Sequence, residues 1–278
     1  MKNIIGIGTV GCSVAKAFSA YPQYKIYTID NDGEPEKGFY KLPKLKTPEE
    51  YENTPIKLGS FFKGLKGESL VVLSGASIVS GAALVIMEQV ARKTPIKVLY
   101  IQPEMELLGE IKTKQERVVY NVLQQYARSA LLERMYLVSN PSIEFAAESA
   151  GIYDYHRFLN DFIASTINMI NIFDRQQPIS STMSPPASVS RICTLSVVSP
   201  EDNEEKVFFP LDNTREIRYY YCIPEEKLRT DPRLYRKVVE AVKQKMTDST
   251  KVSYGIYSTN YEFDLIYGIH YSSRIQSS

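Results

Sequence analysis

Three short stretches of this chain carry residues whose types and spacing could do chemistry. The first is Gly6-Ile7-Gly8-Thr9-Val10-Gly11, which stands between an apolar run, Asn3–Ile7, and a helical run, Cys12–Phe18. A GxGxxG turn between strand and helix can cradle a phosphate. Its glycines let backbone N–H groups approach an anion, and the helix start adds partial positive charge. A second run, Lys25–Asp30, ends at Asp30 and Asp32. An acid about 20 residues beyond such a turn suits a ribose contact, so this part alone reads as a dinucleotide site of an NAD(P)-dependent oxidoreductase. The same turn also serves as a ligand-free strand–helix junction.

The second stretch is Ser74-Gly75-Ala76-Ser77-Ile78-Val79-Ser80-Gly81, again after a strand (Ser69–Leu73) and before an apolar helix (Ala82–Arg92). A dehydrogenase has one phosphate loop. Two such loops suit a ligand held from both sides. Ile78 and Val79 place bulk where close backbone approach prefers glycine, so ordinary helix–sheet packing stays open. The third stretch is the polar pair Asn160-Asp161 near the start of Tyr153–Phe173, YDYHRFLNDFIASTINMINIF. This run has no proline or glycine. Leu159, Phe162, Ile163, Thr166, Ile167 and Ile170 recur at helical spacing, and Tyr155, Phe158, Met169, Ile172 and Phe173 add a second apolar face. A helix apolar on most sides is buried on several sides. A carboxylate there needs a partner, either a ligand or neighbouring backbone.

The elements that must position these stretches alternate. Strands are expected over Asn3–Ile7, Lys25–Asp30, Ser69–Leu73, Ile96–Ile101 and Met135–Val138, the last closed by Ser139-Asn140-Pro141. Between them fall a long surface connection (Asn31–Thr54), a modest helix (Pro55–Leu65), a loop (Pro103–Gly109) and a helix (Thr113–Ala130). That last helix has Val118, Val119, Val122, Leu123 and Tyr126 on one face. The pattern implies an α/β fold: a Rossmann-like, mostly parallel sheet with helices on both faces. The division expected is a nucleotide-binding domain over 1–152, the central helix over 153–175, a Pro/Ser/Gln-rich linker over 176–190 and a smaller α+β mixed-sheet domain over 191–278. In the last, strands are expected at Arg191–Val198, Val207–Pro210 and Ile217–Ile223. A helix at Leu234–Met246 follows Asp231 as N-cap and Pro232 at its first position, with Val238, Val239, Val242 and Met246 as its buried stripe. Val252–Tyr257 and Tyr261–His270 read as a hairpin over Ser258-Thr259-Asn260.

Composition narrows the classes. The 278 residues carry a net charge of +1, which gives no electrostatic argument for nucleic acid or an anionic membrane surface. Cys12, Cys193 and Cys222 lie far apart with no CxxC, which is neither a disulfide framework nor a zinc site and fits a reducing interior. With only two histidines, His156 and His270, far apart in the chain, no His-based metal site is expected; both read as structural. No signal peptide is evident and no apolar run approaches the ~20 residues of a membrane span, so a cytoplasmic protein is expected. Tyr219-Tyr220-Tyr221 alternates faces on its strand and reads as part core, part surface.

In the order of its parts the chain resembles the tubulin/FtsZ superfamily. GIGTVGCSVAKAF (Gly6–Phe18) looks like that family's first phosphate loop and helix, with a Gly-Cys-Ser close to the tubulin version. Ser74–Gly81 occupies the place of the GGGTGTG signature, keeping Gly75 and Gly81 and offering Ser77 and Ser80 as donors. PEMELLGEIKTKQER (Pro103–Arg117) looks like the ribose stretch PFxxEGxxR of FtsZ, with the acid displaced. Asn160-Asp161 falls where the family's central helix reads the guanine edge. The mixed sheet with one helix resembles the FtsZ C-terminal domain. In FtsZ the loop after the central helix bears NxDFxD. Here Asp174–Ala187 is DRQQPISSTMSPPA, with Asp174 its only acid. A phage-type or otherwise divergent tubulin homologue accounts for such drift.

The resemblance implies a protein that binds GTP or GDP, with or without Mg2+, and assembles with itself head-to-tail into filaments. It implies phosphate contacts from Gly8, Gly11, Cys12 and Ser13 and from Gly75, Ala76, Ser77, Ser80 and Gly81. It implies ribose contacts from Glu106 or Glu110 and Arg117, and base contacts from Asn160 and Asp161. The only acid for hydrolysis is Asp174, so turnover is expected to be slow or absent. A homologue that kept the fold and lost the nucleotide is the remaining alternative.

Overall fold

The strongest apolar runs form the centre of one sheet. A computed structural model describes residues 1–277. β1 (Asn3–Ile7) and β4 (Ser69–Leu73) are buried at every position. They pair with each other and are flanked by β2 (Lys25–Asp30) and β3 (Phe39–Lys41) on one side and β5 (Ile96–Gln102) and β6 (Arg134–Ser139) on the other. The order is 3-2-1-4-5-6 and every pairing is parallel. Parallel strands need crossovers, and these place helices on both faces. On one face α1 (Gly8–Ala17) and α5 (Tyr155–Phe173) bury Val14, Phe18, Leu159, Ile163 and Ile167. On the other, α2 (Pro48–Asn53), α3 (Ala83–Ala91) and α4 (Glu110–Arg128) bury Tyr51, Ile86, Val90, Tyr120 and Leu123.

The sheet continues into the second half. β8 (Ile192–Val198) pairs in parallel with β6, and the order runs on through β12 (Leu265–Ser272), β10 (Glu216–Pro224), β11 (Lys251–Thr259) and the short β7 (Ser180–Ser181). β9 (Glu205–Val207) adds to β8. α6 (Glu225–Thr230) and α7 (Leu234–Lys245) follow β10, and α7 buries Leu234, Val238 and Val242 against the mixed part. α5 packs against both halves, because its core also holds Cys193, Tyr220, Cys222, Tyr257 and Tyr271.

Several local expectations are corrected. Pro55–Leu65 is irregular, not helical: Gln89 takes the Leu58 N–H (2.8 Å) and donates to the Ile56 carbonyl (2.8 Å). Lys93 bonds the Gly59 and Phe62 carbonyls. The connection over 31–54 contains β3 and α2, with Thr47 capping α2 through the Glu50 N–H (3.3 Å). α4 buries Glu116, Tyr120, Leu123, Gln124 and Ala127, a stripe turned from the expected one; Val118 is exposed. β11 and β12 are not a hairpin. β10 lies between them, parallel to β11 and antiparallel to β12. Tyr219, Tyr220 and Tyr221 are all buried, not part core and part surface, so both faces of β10 are covered. α7 starts at Leu234 without a side-chain cap; Asp231 instead accepts the Arg233 N–H (2.9 Å) and pairs with Lys237. Met246, placed in its buried stripe by spacing, is exposed.

Candidate functional site

In an open parallel sheet, ligands bind beyond the carboxyl ends of the strands where the strand order reverses. Here that point lies between β1 and β4, and Gly6 stands opposite Val72 in the register. The chain leaves β1 directly into α1. Gly8 has φ +70°, a left-handed conformation that side chains avoid. Gly6 and Gly11 serve close packing: a Cβ on Gly6 would lie 2.4 Å from the Gly11 carbonyl oxygen, and one on Gly11 2.2 Å from that of Val72. α1 therefore sits tight on the sheet with its first turn at the strand ends. That turn has no side-chain cap and no acidic residue, so its leading N–H groups are available to an anion.

A cleft of about 290 Å³ opens beside this turn. It is lined by Thr9, Val10 and Ser13 of α1, Asn140 beyond β6, and His156, Leu159 and Asn160 of α5. No carboxylate lines it. The side-chain amides of Asn140 and Asn160, both partly exposed, have no hydrogen-bond partner among the described residues. Such a cleft offers helix-end N–H groups at one side and two free amides at the other. It suits a ligand with an anionic end and a hydrogen-bonding ring edge.

The remaining expected site residues do not line the cleft, apart from Ser13. Asp161 lies next to Asn160, half-exposed, 3.7 Å from Arg157, which also holds Asp154 at 2.9 Å. Cys12 faces away from the cleft: its Sγ contacts the Gly6 and Ile29 carbonyls at 3.5 and 3.6 Å, and burial pushes its thiol up to about 12. It borders a separate hollow of about 170 Å³ with Asp30 and Lys16. Asp30 is already engaged, accepting from Thr9 Oγ1 (3.1 Å) and the Asn31 N–H (2.8 Å).

The second turn is folded on itself. Ser77 Oγ accepts the Val79 N–H (3.3 Å), Ser80 Oγ donates to the Gly75 and Ser77 carbonyls (2.8 and 2.6 Å), and Val79 is 1% exposed. A Cβ on Gly75 would strike Tyr100 Oη (2.3 Å), and one on Gly81 the Pro48 carbonyl oxygen (2.1 Å). Those glycines allow neighbouring elements to approach. Ala76 and Ser77 stay partly exposed beside Gly8. Glu106, Glu110 and Arg117 lie exposed on the segment after β5 and do not line the cleft; Glu110 pairs with Lys114.

Asp174 sits at the opposite end of α5, about 21 Å along the axis from Asn160 at 1.5 Å per residue. Its carboxylate accepts from Tyr220 Oη (2.9 Å) and lies 3.3 Å from Arg218. Among the described residues no cluster of three or more His, Cys, Asp or Glu could hold a metal, and no helix is long and apolar enough to cross a membrane. Thr9 and Val10 lie within the expected phosphate turn, whereas Asn140, His156 and Leu159 were not singled out as ligand residues by sequence. Asn140 could have been, since it ends a parallel strand on the ligand-binding edge.

No protein-family model matches the sequence, and no curated protein matches it. Solved structures do. A GTPγS-form protofilament of Bacillus thuringiensis serovar israelensis TubZ superposes with TM-score 0.74 at 14% identity, over 98% of this chain and 86% of that one. CetZ1 from Haloferax volcanii, a GDP-bound monomer, gives 0.68 at 14% identity over 99% and 94%. An empty FtsZ dimer from M. jannaschii gives 0.67 at 10% identity over 98% and 88%. At such identities the likeness speaks for architecture, and that architecture is the tubulin/FtsZ fold.

Proposed function

We propose that this protein binds a guanine nucleotide in the cleft between α1 and α5 and assembles head-to-tail into filaments, with little or no GTP hydrolysis. The observation that carries the reading is the pairing of an uncapped, acid-free α1 N-terminus with the unpartnered Asn160 amide across one cleft. In this reading the first-turn N–H groups of α1 hold phosphate oxygens, with Ala76 and Ser77 alongside. Ser13 adds a hydroxyl. Asn160 and Asp161 take the base edge, Asp161 exchanging Arg157 for the two N–H groups of guanine. Glu106, Glu110 and Arg117 reach the ribose only if their segment closes over the cleft. The residues present suit GTP or GDP. Mg2+ would be held through the phosphates, not by a protein cage.

The cleft and Asp174 lie at opposite ends of α5, so a head-to-tail contact would bring one copy's Asp174 end to the next copy's cleft. A rotation that does not close then gives an open filament. The similar TubZ structure is itself a protofilament. Asp174 is the only acid of its loop and is tied to Arg218 and Tyr220, which disfavours its service as a water-activating group.

A second reading draws on the second turn. The Val79 N–H and the Ser80 hydroxyl are already bonded within the loop, as in a homologue that kept the fold and lost its nucleotide. An NAD(P) oxidoreductase is less favoured, because both Asp30 oxygens are already hydrogen-bonded. Thermal unfolding with GTP, GDP, NADH and NADPH separates the three, since a ligand that binds only the native state raises its melting temperature. Electron microscopy with and without GTP tests assembly. A shift with neither guanine nucleotide would defeat the proposal.

A further inference from the structure

At the other end of α5 the protein encloses a second, smaller cavity of about 80 Å³. It lies where the two halves of the sheet meet. Arg134 and Tyr136 come from β6, Tyr271 from β12 and Arg218 from β10, with Lys97 of β5 at one side and Asp174 of α5 at the other. The pairings Tyr136–Cys193 and Cys193–Tyr271 put these side chains on the sheet face that α5 covers.

The cavity is rich in donors and poor in acceptors. Arg218 has a side chain only 15% exposed, touches Asp174 through one Nη at 3.3 Å, and leaves its buried Nε–H without a partner. Arg134 makes no ion pair among the described residues. It donates to the Ser190 carbonyl at 3.4 Å and lies 4.8 Å from the centre of the Tyr271 ring. The Tyr136 hydroxyl has no hydrogen-bond partner among the described residues, and burial pushes its ionisation well above the ordinary value, so it remains a donor. Lys97 shares Glu68 with the Met1 α-amine and Arg175, so that single carboxylate already serves three cations. Desolvated guanidinium groups are costly without a counter-charge, and planar N–H forks match tetrahedral oxyanions.

We infer that this cavity binds a small tetrahedral oxyanion, phosphate or sulfate, held between Arg134 and Arg218. A water occupies about 30 Å³ of liquid, so the space takes a five-atom ion and excludes a nucleotide. The ion would bridge Arg134 of β6 and Arg218 of β10, fastening the two halves of the sheet across their seam. Asp174 would lose part of its hold on Arg218 to the ion. This site stands independently of the nucleotide reading.

The test uses the full chain. Phosphate and sulfate are titrated at constant ionic strength against chloride while thermal unfolding is followed. Crystals soaked in selenate are examined by anomalous scattering. The expected result is a saturable rise in melting temperature with at least one oxyanion, lost in both Arg134→Gln and Arg218→Gln, and a selenium peak between the two arginines. The anion with the lower half-saturation is the preferred ligand. If Arg218→Gln fails to fold, Arg134→Gln and the selenium position decide. A non-saturating rise equal in wild type and variants would overturn the inference, as would a peak confined to the α1 turn or no peak at all.

Discussion

A Cβ placed on Gly8 would stand 3.4 Å from Oγ of Ser77, so the two strand-end turns lie against each other here. The first turn faces the cleft and the second supports it from the side.

Gly8→Ala forces a side chain into φ +70°. Left-handed backbone costs a non-glycine residue roughly 1–2 kcal/mol, and the turn would shift to relieve it. The variant is expected to fold with a lowered melting temperature and to lose its GTP-induced shift. Gly11→Ala, whose Cβ would meet the Val72 carbonyl oxygen at 2.2 Å, is expected to fold poorly or not at all. Circular dichroism melts of both variants, with and without GTP, check the pair.

Asn160→Ala removes an amide that bonds nothing within the protein. Its stability is expected to stay within about 0.5 kcal/mol of wild type, as for surface changes away from special features. Its guanine-nucleotide shift is expected to vanish. A melting-temperature titration with GTP reads both quantities, and an unchanged shift would remove Asn160 from the site.

Glu205 is 10% exposed and meets His270 Nε2 at 2.7 Å, Ser196 Oγ at 2.7 Å, Tyr219 Oη at 2.9 Å and Lys245 Nζ at 3.0 Å. Burial pushes its carboxyl upward, but the His270 hydrogen bond and charge, with Ser196 and Lys245, outweigh it and bring the value down to about 2. A depressed carboxylate gives stability that is present above the ordinary glutamate range and lost as pH falls toward 2. The loss amounts to roughly 3 kcal/mol at most. Glu205→Gln is expected to lower stability at neutral pH and to flatten the acid limb, measured by denaturant unfolding across that range.

Glu116 behaves in the opposite sense. It is fully buried, accepts from Tyr100 Oη at 2.9 Å, and leaves Oε2 without a partner. Burial, only partly offset by the Tyr100 hydrogen bond and Arg117, raises its ionisation. The folded state thus holds a proton that the unfolded chain releases, and stability falls as pH rises from the ordinary glutamate range. Glu116→Gln is expected to melt higher than wild type at neutral pH, with the gap closing in acid. Paired melts at several pH values decide this.

GTP turnover is expected below about 1 per second, the lower end of common enzyme rates. Phosphate release from assembled protein measures it, and a faster rate would overturn the expectation of little or no hydrolysis.

The sequence by itself determined the parts whose signals are local. The continuous apolar runs of β1 and β4 and the glycine turn after β1 are written within a few residues, as is the helical periodicity around Asn160. Backbone geometry converts such patterns into strand, turn and helix without reference to the rest of the chain. Tertiary packing decided what depends on distant partners. Gly75 and Gly81 stand in the pattern of a phosphate loop, and packing places a second demand on them, the close approach of Tyr100 and Pro48. α4 turned Tyr120, Leu123 and Ala127 inward because the core they share with Tyr100 lies on that side. β10 lies between β11 and β12, an order set by pairing with strands that follow it at a distance in sequence. Arg134 and Arg218 meet across two intervening strands, a juxtaposition that no local pattern encodes.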